Sequence, residues 1–262
     1  MKEDQITFSF GENWKNFLGE LDEDDFRRAG NDIEEWLGAE NIKGKRIIDI
    51  GSGSGIHSFV FHTMGAKELI SFDYDKNSVE ATTQMWRKAG SPVNWKVMHG
   101  SILDEKFIKN LGEFDIVYSW GVLHHTGQMW KAIANACSIV KAGGNFWISI
   151  YLKGPRYDAH LELKRKYNRR SSLGKNMMVY VEILKTMKDL LVQRKNPFKW
   201  NQKIGRGMRM YNDIIDWLGG LPYEVASKEE IVSFCGQEKL MLKKVLEKKW
   251  DGGCNVYLFN KE

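Results

Sequence analysis

The chain has few cysteines and no long apolar run, and each shortage excludes a class of protein. Its three cysteines, Cys137, Cys235 and Cys254, are scattered along 262 residues without metal-ligand spacing. That pattern predicts buried thiols in a reducing cytoplasm, and it argues against a disulfide framework or a zinc site. No apolar run approaches the length of a membrane span, and residues 1–5, MKEDQ, do not resemble a signal peptide. Together these absences predict a cytoplasmic globular protein without a metal.

Positive charge is concentrated in one segment of the chain. Residues 156–210 contain 15 Lys or Arg against 4 Asp or Glu, a net charge of +11, whereas the whole chain carries only +5. Hydrophobic residues make up 42% of the chain, and 262 residues can bury one large core, or a core and a cap. The basic segment is therefore a candidate contact for a negatively charged partner.

Residues 47–55, IIDIGSGSG, are the most informative stretch of the sequence. An apolar run that contains Asp49 predicts a buried parallel strand, and Gly51, Gly53 and Gly55 predict a tight turn where backbone approaches a ligand closely. A helix that begins at Ile56 would point its N-terminal N–H groups at the same place. Strand, turn and helix in this order are typical of a site for a nucleoside-containing cofactor.

A second acidic residue, Asp73, closes the next apolar run, 22 positions after Gly51. Doubly wound folds place the acid that binds ribose hydroxyls at about this distance. The glycines follow the spacing G-x-G-x-G, and Ile56 stands where a dinucleotide fingerprint has its third glycine. A nicotinamide reductase is therefore a disfavoured alternative.

Three further segments follow in order, at residues 97–104, 114–125 and 140–150. With the glycine turn, they resemble the successive motifs of the class I S-adenosylmethionine-dependent methyltransferases, closely over residues 40–151 and loosely over residues 240–259. Residues 8–14 and 211–224 are similar to segments of bacterial small-molecule members related to quinone and glycan-pathway methyltransferases.

The periodicity and the resemblance together predict an α/β fold. The resemblance implies a doubly wound, seven-stranded, mostly parallel sheet in the order 3-2-1-4-5-7-6. Residues 152–239 are too many for one crossover helix, so their number predicts an inserted helical cap. We expect a helix over residues 22–37, followed by strands near residues 46–50, 68–73, 94–98, 114–119 and 145–151. Residues 1–151 would hold lid helices and the cofactor-binding half, residues 152–239 the cap between strands 5 and 6, and residues 240–262 the strand pair that completes the core.

The resemblance also implies S-adenosylmethionine as the cofactor, with S-adenosylhomocysteine as its product. Asp49 would hold the methionine amino group, Asp73 both ribose hydroxyls, and Tyr74 would lie on the adenine. The backbone cradle would come from Gly51, Ser52, Gly53 and Gly55, the adenine border from Ser101 and Ile102, and the contact beside the methionine moiety from Ser119 and Trp120. Many members of the family carry Asp at the place of Ser101.

His124 and His125 directly follow the fourth strand, at the edge where open α/β sheets bind ligands. Either could act as a general base near neutral pH, with His125 favoured, or serve as a structural imidazole. The residues that could contact the acceptor, or only pack as a lid, are Trp14, Tyr151, Arg206, Arg209, Tyr211 and Tyr223.

Within the cap, Met177, Val181, Leu184, Met187 and Leu191 recur at steps of three and four residues, among several lysines and arginines. This spacing predicts an amphipathic basic helix. The apolar stripe could pack on the core and leave the charges in water. The helix could instead face a phosphate-bearing substrate, an anionic membrane surface or, as the least favoured partner, nucleic acid.

The sequence and the resemblance therefore predict an enzyme that methylates a small acceptor, an anionic or phosphate- or glycan-related metabolite, at oxygen rather than at nitrogen. Two alternatives stay open. The acceptor could be lipid-borne or membrane-associated, like a quinone, or the protein could bind an adenosyl ligand without catalysis. No motif indicates an oligomeric state.

Overall fold

The computed structural model describes residues 8, 11, 21–204, 208–248 and 251–262, and over these residues the main sheet has seven strands. The strands are β1 Arg46–Ile50, β2 Glu68–Asp73, β3 Trp95–His99, β4 Phe114–Trp120, β5 Val140–Tyr151, β6 Leu240–Leu246 and β7 Cys254–Lys261. Strands β1 to β5 pair in parallel, and β7 lies antiparallel between β5 and β6. The order is therefore 3-2-1-4-5-7-6, which confirms the predicted fold class.

Helices connect the strands and form the cap. They are α1 Glu23–Leu37, α2 Ile56–Thr63, α3 Lys76–Lys88, α4 Glu105–Leu111, α5 Met129–Ser138, α6 Tyr157–Arg169, α7 Ser172–Val192, α8 Met210–Gly219 and α9 Lys228–Gln237. The acidic start of α1 forms a capping box, in which Asp22 and Asp25 each accept a hydrogen bond from the other's backbone N–H. This helix agrees with the predicted one to within a residue.

Helices cover both faces of the sheet. Residues of α1, α2 and α3 pack on one face, and residues of α4, α5 and α9 pack on the other. In β1, Ile47 belongs to the first cluster and Ile48 to the second, and both are fully buried. Burial on both faces explains why the strands of the sequence are nearly continuous apolar runs. The carboxyl ends of the parallel strands meet at one edge of the sheet, where ligands of such folds bind.

Strand β5 is longer than predicted. The sequence favoured a helix end and a Gly-Gly turn before a strand near residues 145–151, but the strand already begins at Val140. Val140 pairs with Phe114, while Asn145 pairs with Ile116, so the intervening residues form an irregularity inside the ladder. A Cβ on Gly144 would lie 2.8 Å from the Lys141 carbonyl oxygen, which explains the need for glycine there.

The inserted region has a small apolar core of its own. Tyr167 of α6, Val179 and Ile183 of α7, and Ile214 and Leu218 of α8 form one buried cluster. Helix α9 also lies within residues 152–239, but its buried residues belong to the main core, on the face of the sheet that α4 and α5 cover. The extent of the cap as a separate unit stays a prediction.

Helix α7 does not bury the stripe that its periodicity suggested. Met177, Val181, Leu184 and Leu191 are exposed, so the interpretation that this stripe packs on the core is wrong for these four residues. The helix is held through a narrower face that contains Val179. Although α7 has 21 residues, no helix in the described part of the chain is long and apolar enough to cross a membrane.

Candidate active site

The glycine turn between β1 and α2 adopts a backbone that only glycine accommodates. Gly51 and Gly55 have φ angles of +73° and +78°. A Cβ on Gly51 would lie 2.4 Å from a methyl group of Val122, and one on Gly55 would lie 2.8 Å from the backbone of Thr82. The turn therefore brings bare backbone to the sheet edge, as the sequence predicted.

Hydrogen bonds to the neighbouring strand and helix hold this turn. The N–H groups of Gly51 and Ser52 both donate to the Phe72 carbonyl oxygen, over 2.8 and 3.1 Å. The Ser52 hydroxyl lies 2.8 Å from the Thr82 hydroxyl, which also donates to the Gly53 carbonyl oxygen over 3.1 Å. The Ser52 side chain thus fastens the turn to α3.

Asp73, at the end of β2, joins the glycine turn to the next loop. Its two carboxylate oxygens accept from the N–H groups of Gly53 and Asp75, over 3.0 and 2.9 Å. Burial raises the pKa of Asp73 to about 6, although these backbone hydrogen bonds oppose the shift. The ring of Tyr74 is 72% exposed and is stacked at 6.2 Å from the ring of His99. The Asp73 carboxylate and the Tyr74 ring therefore present a hydrogen-bonding group and a flat apolar face next to each other.

Asp49, in β1, is the first of the two acidic residues that the sequence analysis assigned to the cofactor, and it lies in the interior of the protein. It is 2% exposed, and its carboxylate accepts from the Ser58 hydroxyl over 2.5 Å. Ser58 lies 2.6 Å from the Ser71 hydroxyl, which accepts from the indole N–H of Trp95 over 2.8 Å. The sequence did not reveal this buried network of hydrogen bonds, because its members come from the three strands β1, β2 and β3 and from helix α2.

Four further predicted cofactor residues border the same edge. The Ser101 hydroxyl accepts from the Leu103 N–H over 3.2 Å, and Ile102 is buried. The Ser119 hydroxyl donates to the Ile50 carbonyl oxygen over 3.0 Å, linking β4 to β1. The ring of Trp120 meets Trp147 edge-on at 5.7 Å. The roles of all four in binding remain predictions.

His124 and His125 occupy a short turn, Leu123–His125, directly after β4. His124 Nδ1 accepts from the Tyr151 N–H over 3.3 Å, and His125 Nδ1 donates to the Pro222 carbonyl oxygen over 2.6 Å. Burial lowers the pKa of His125 to about 3. Burial, and repulsion from a protonated His125 and from Lys164, lower the pKa of His124 well below its ordinary value. Both imidazoles are therefore neutral at physiological pH.

The cap adds a buried amine to the histidine pair. Lys164 of α6 is fully buried, and its ammonium donates to the Trp217 carbonyl oxygen. Its Nζ lies 4.6 Å from the ring centre of Trp217, 4.7 Å from that of Tyr223 and 5.8 Å from that of Tyr151. Burial lowers its pKa to about 7. We call Lys164, Tyr151, Trp217, Tyr223, His124 and His125 the cap cluster.

Sequence reasoning included both histidines and both tyrosines of the cap cluster but missed Lys164 and Trp217. The available signal was that His160, Lys164 and Tyr167 recur at steps of four and three, on one face of α6. All three are buried there, and the ring of His160 meets Trp217 edge-on at 5.2 Å. A lysine that shares one face of a helix with residues expected to be buried indicates a buried charge.

The other predicted acceptor residues that the structure describes, Arg209 and Tyr211, do not belong to the cap cluster. Arg209 and Tyr211 lie at the start of α8, where the Tyr211 N–H donates to the Asn201 side chain over 3.0 Å. Tyr211 lies six positions before Trp217, about 9 Å along the helix axis. Trp14 and Arg206 lie outside the described residues.

Two described residues of the N-terminal segment touch both sides of the site. The Gly11 N–H donates to the Asp75 carboxylate over 3.1 Å, beside the loop that follows Asp73. The Phe8 N–H donates to the Leu221 carbonyl oxygen over 3.2 Å, and the Phe8 ring fills the space where Gly219 would otherwise carry a Cβ. These contacts agree with the expectation of a lid, which stays a prediction.

Comparison with known proteins gives a family and distant relatives. A family model described as a methyltransferase domain matches residues 41–210. A ubiquinone biosynthesis O-methyltransferase from Methylobacterium sp. (strain 4-46) is 27% identical over 111 residues, which are 42% of this chain and 43% of that protein. A tRNA U34 carboxymethyltransferase from Methylococcus capsulatus is 29% identical over 103 residues, which are 39% of this chain and 31% of that protein. The chain thus spans less than half the length of these curated relatives.

Among solved structures, magnesium protoporphyrin IX methyltransferase from Synechocystis PCC 6803, crystallised with bound SAH, has a similar fold. The TM-score is 0.58 at 14% sequence identity, and the match covers 96% of this chain and 94% of that one. At this identity the similarity shows the fold alone.

Proposed function

Since the chain belongs to the methyltransferase domain family, we propose that it transfers the methyl group of S-adenosylmethionine to a small acceptor. The observation that carries the proposal is the position of Asp73 against the glycine turn. Each of its carboxylate oxygens accepts one backbone N–H, and a carboxylate oxygen can accept a second hydrogen bond. The side chain can therefore receive two neighbouring ribose hydroxyls without losing its hold on the turn.

The surroundings of Asp73 fit the rest of an adenosyl group. The exposed ring of Tyr74 offers a stacking face for the adenine, and Ser101 and Ile102 would border the base on its other side. The bare backbone at Gly51 and Gly53 allows the methionine moiety to pass close to the turn. When bound, the cofactor supplies a methyl group on a positively charged sulfur, ready for in-line displacement. Residues of this chain contribute mainly by aligning the acceptor with that methyl group.

We further propose that the acceptor is anionic and is methylated at oxygen. Lys164 supports this, because it places a buried ammonium beside His125 and Tyr151, at the edge of the sheet that also holds the glycine turn. In a site of low polarity a single positive charge favours an anionic ligand strongly. His125 and Tyr151 keep partial solvent exposure, so an acceptor would reach the cap cluster past them.

The low pKa of His125 bears on how the acceptor oxygen becomes a nucleophile. An imidazole with a pKa of about 3 is a weak proton acceptor at neutral pH, whereas an efficient general base has a pKa near the working pH. Its Nδ1 is bonded to the Pro222 carbonyl oxygen, so the ring would meet the acceptor through Nε2. We propose that His125 orients the acceptor and that Lys164 stabilises an oxygen that is already ionised, so that no strong base is required.

The test compares two aspartates that both accept backbone hydrogen bonds. Asp73→Asn should weaken the affinity for S-adenosylmethionine in calorimetry by about 1.5–3 kcal/mol, because charge-assisted hydrogen bonds to the ribose are lost. Asp115→Asn is the matched control, since Asp115 accepts from the Arg46 N–H at the opposite end of the sheet. For the wild type, the affinity should also fall as the pH drops through about 6, where Asp73 becomes protonated.

Three results would contradict the proposal. Equal affinity of S-adenosylmethionine for Asp73→Asn and for the wild type would rule out the ribose role of Asp73. Binding of NAD alone would revive the reductase alternative. Binding of S-adenosylmethionine without any conversion to S-adenosylhomocysteine, across a panel of carboxylate and phenolate acceptors, would favour the non-catalytic alternative.

A further inference from the structure

Helix α7 carries a broad apolar face that points into solvent. Leu173, Met177, Tyr180, Leu184 and Leu191 follow one another at steps of three, four and seven residues, which places them on one side of the helix. Each is exposed, with values of 63% for Met177 and 64% for Leu184. Isolated exposed apolar residues are ordinary, but a contiguous row of this length marks an interaction surface.

The orientation of the helix is fixed from its other side. Val179 and Ile183 are buried against α6 and α8, so the exposed row cannot turn inward without breaking the small core of the cap. Directly after α7, the turn Pro197–Lys199 presents Phe198, which is 83% exposed. The Asn196 side chain accepts from the Phe198 N–H over 2.9 Å and holds this turn. We call the exposed row of α7 together with Phe198 the outer face.

Positive charge borders the outer face along one side and at the end of α7. Residues 172–200 contain six Lys or Arg against two acidic residues, Glu182 and Asp189. Glu182 is paired with Lys185 over 2.7 Å. Lys188 lies on the same side of the helix as Leu184 and Leu191, and Arg194 and Lys195 follow at its end. An apolar row bordered by cations is the pattern of a helix that lies in a membrane interface.

We propose that the outer face binds the surface of a bilayer that contains anionic lipids, with α7 lying parallel to the membrane plane. Its apolar side chains would enter the boundary between headgroups and acyl chains, and the cations would meet lipid phosphates. Charge favours this occupant over a second copy of the chain. Two outer faces related by a twofold axis would bring like charges together around a shared apolar row.

This inference does not depend on methyl transfer, because vesicle binding and cofactor binding can be measured separately on the full chain. Sedimentation with vesicles should show binding to a mixture of seven parts phosphatidylcholine and three parts phosphatidylglycerol, and much weaker binding to phosphatidylcholine alone. Raising the salt from about 0.1 M to about 0.5 M should weaken the binding, since the lipid charges are then screened.

Two double variants make the comparison specific. Leu184→Gln with Leu191→Gln should weaken vesicle binding at least about tenfold, because both side chains are on the outer face and contribute apolar area. Met241→Gln with Leu246→Gln, on the edge strand β6, removes two exposed apolar side chains elsewhere and should bind vesicles like the wild type. Circular dichroism and thermal unfolding show whether each variant keeps its fold.

Several outcomes would overturn the inference. Unchanged vesicle binding by the α7 variant would do so, and so would equal loss in both variants. Absence of binding to either vesicle, with a dimer in light scattering that the α7 variant dissociates, would assign the outer face to a second copy of the chain.

Discussion

Replacing Lys164 by methionine tests the buried amine through the pH dependence of stability. The folded protein holds this amine with a pKa of about 7, against an ordinary value of 10.5. Between these two values the unfolded chain binds a proton that the folded protein lacks, so the free energy of unfolding of the wild type rises with pH. The slope has an upper limit of about 1.4 kcal/mol per pH unit, which gives about 2–3 kcal/mol between pH 7 and pH 9. Lys164→Met should lack this rise.

The measurement is urea unfolding of wild type and variant at pH 6, 7, 8 and 9. The difference in unfolding free energy should be nearly constant below pH 7 and should then shift in favour of the wild type as the pH rises. At pH 6 the variant should be at least as stable as the wild type, because an apolar side chain of similar length replaces a buried charge. Lys188→Met, at an exposed position on α7, is the control and should follow the wild type at every pH. Parallel curves for wild type and Lys164→Met would refute the burial of a titrating amine.

The remaining predictions concern the glycine turn and the histidine pair. Gly51→Ala should lower the free energy of unfolding by about 2–4 kcal/mol, from the left-handed backbone and from the contact with Val122. Adding Val122→Ala should restore only some of the loss due to that contact, because the Cβ of residue 122 stays 2.9 Å away. Equal stability of Gly51→Ala and wild type in thermal unfolding would contradict this account. His125→Ala should lower turnover about tenfold or more while the dissociation constant for S-adenosylhomocysteine stays within about twofold, because the ring is bonded to Pro222 and lies 5.5 Å from Tyr151, on the acceptor side. Equal losses of turnover and cofactor affinity would instead indicate a structural role.

Local patterns predicted the strands and the glycine turn, and the family resemblance predicted the order of the strands in the sheet. Strands β1 and β2 are short apolar runs that end at turns, and both faces of each strand are buried, so composition alone marks them. Gly51 and Gly55 were predictable because their positive φ angles are a property of single residues. The start of β5 was not, since its irregular pairing with β4 depends on which residues the two strands align.

Contacts between distant elements explain what the sequence did not reveal. The environment of Lys164 is built by Tyr151, Trp217 and Tyr223, which come from a strand, a helix and a loop far apart in the chain. The same holds for Asp49, whose partner Ser58 lies on the next helix. The prediction of which face of helix α7 is buried was wrong for a different reason. It is apolar on two sides, and a periodic pattern cannot tell which of two apolar faces packs on the core.

The bonds that hold the glycine turn also determine what ligand binding costs. Gly51, Ser52 and Gly53 take their places through the Phe72 carbonyl oxygen and the Asp73 carboxylate, both of which belong to β2. A ligand that arrives at this edge therefore has little loop entropy to remove, and more of its contact energy remains as affinity. Affinity becomes coupled to the pairing of β1 with β2, so a substitution that loosens β2 far from the ligand would weaken binding without touching it.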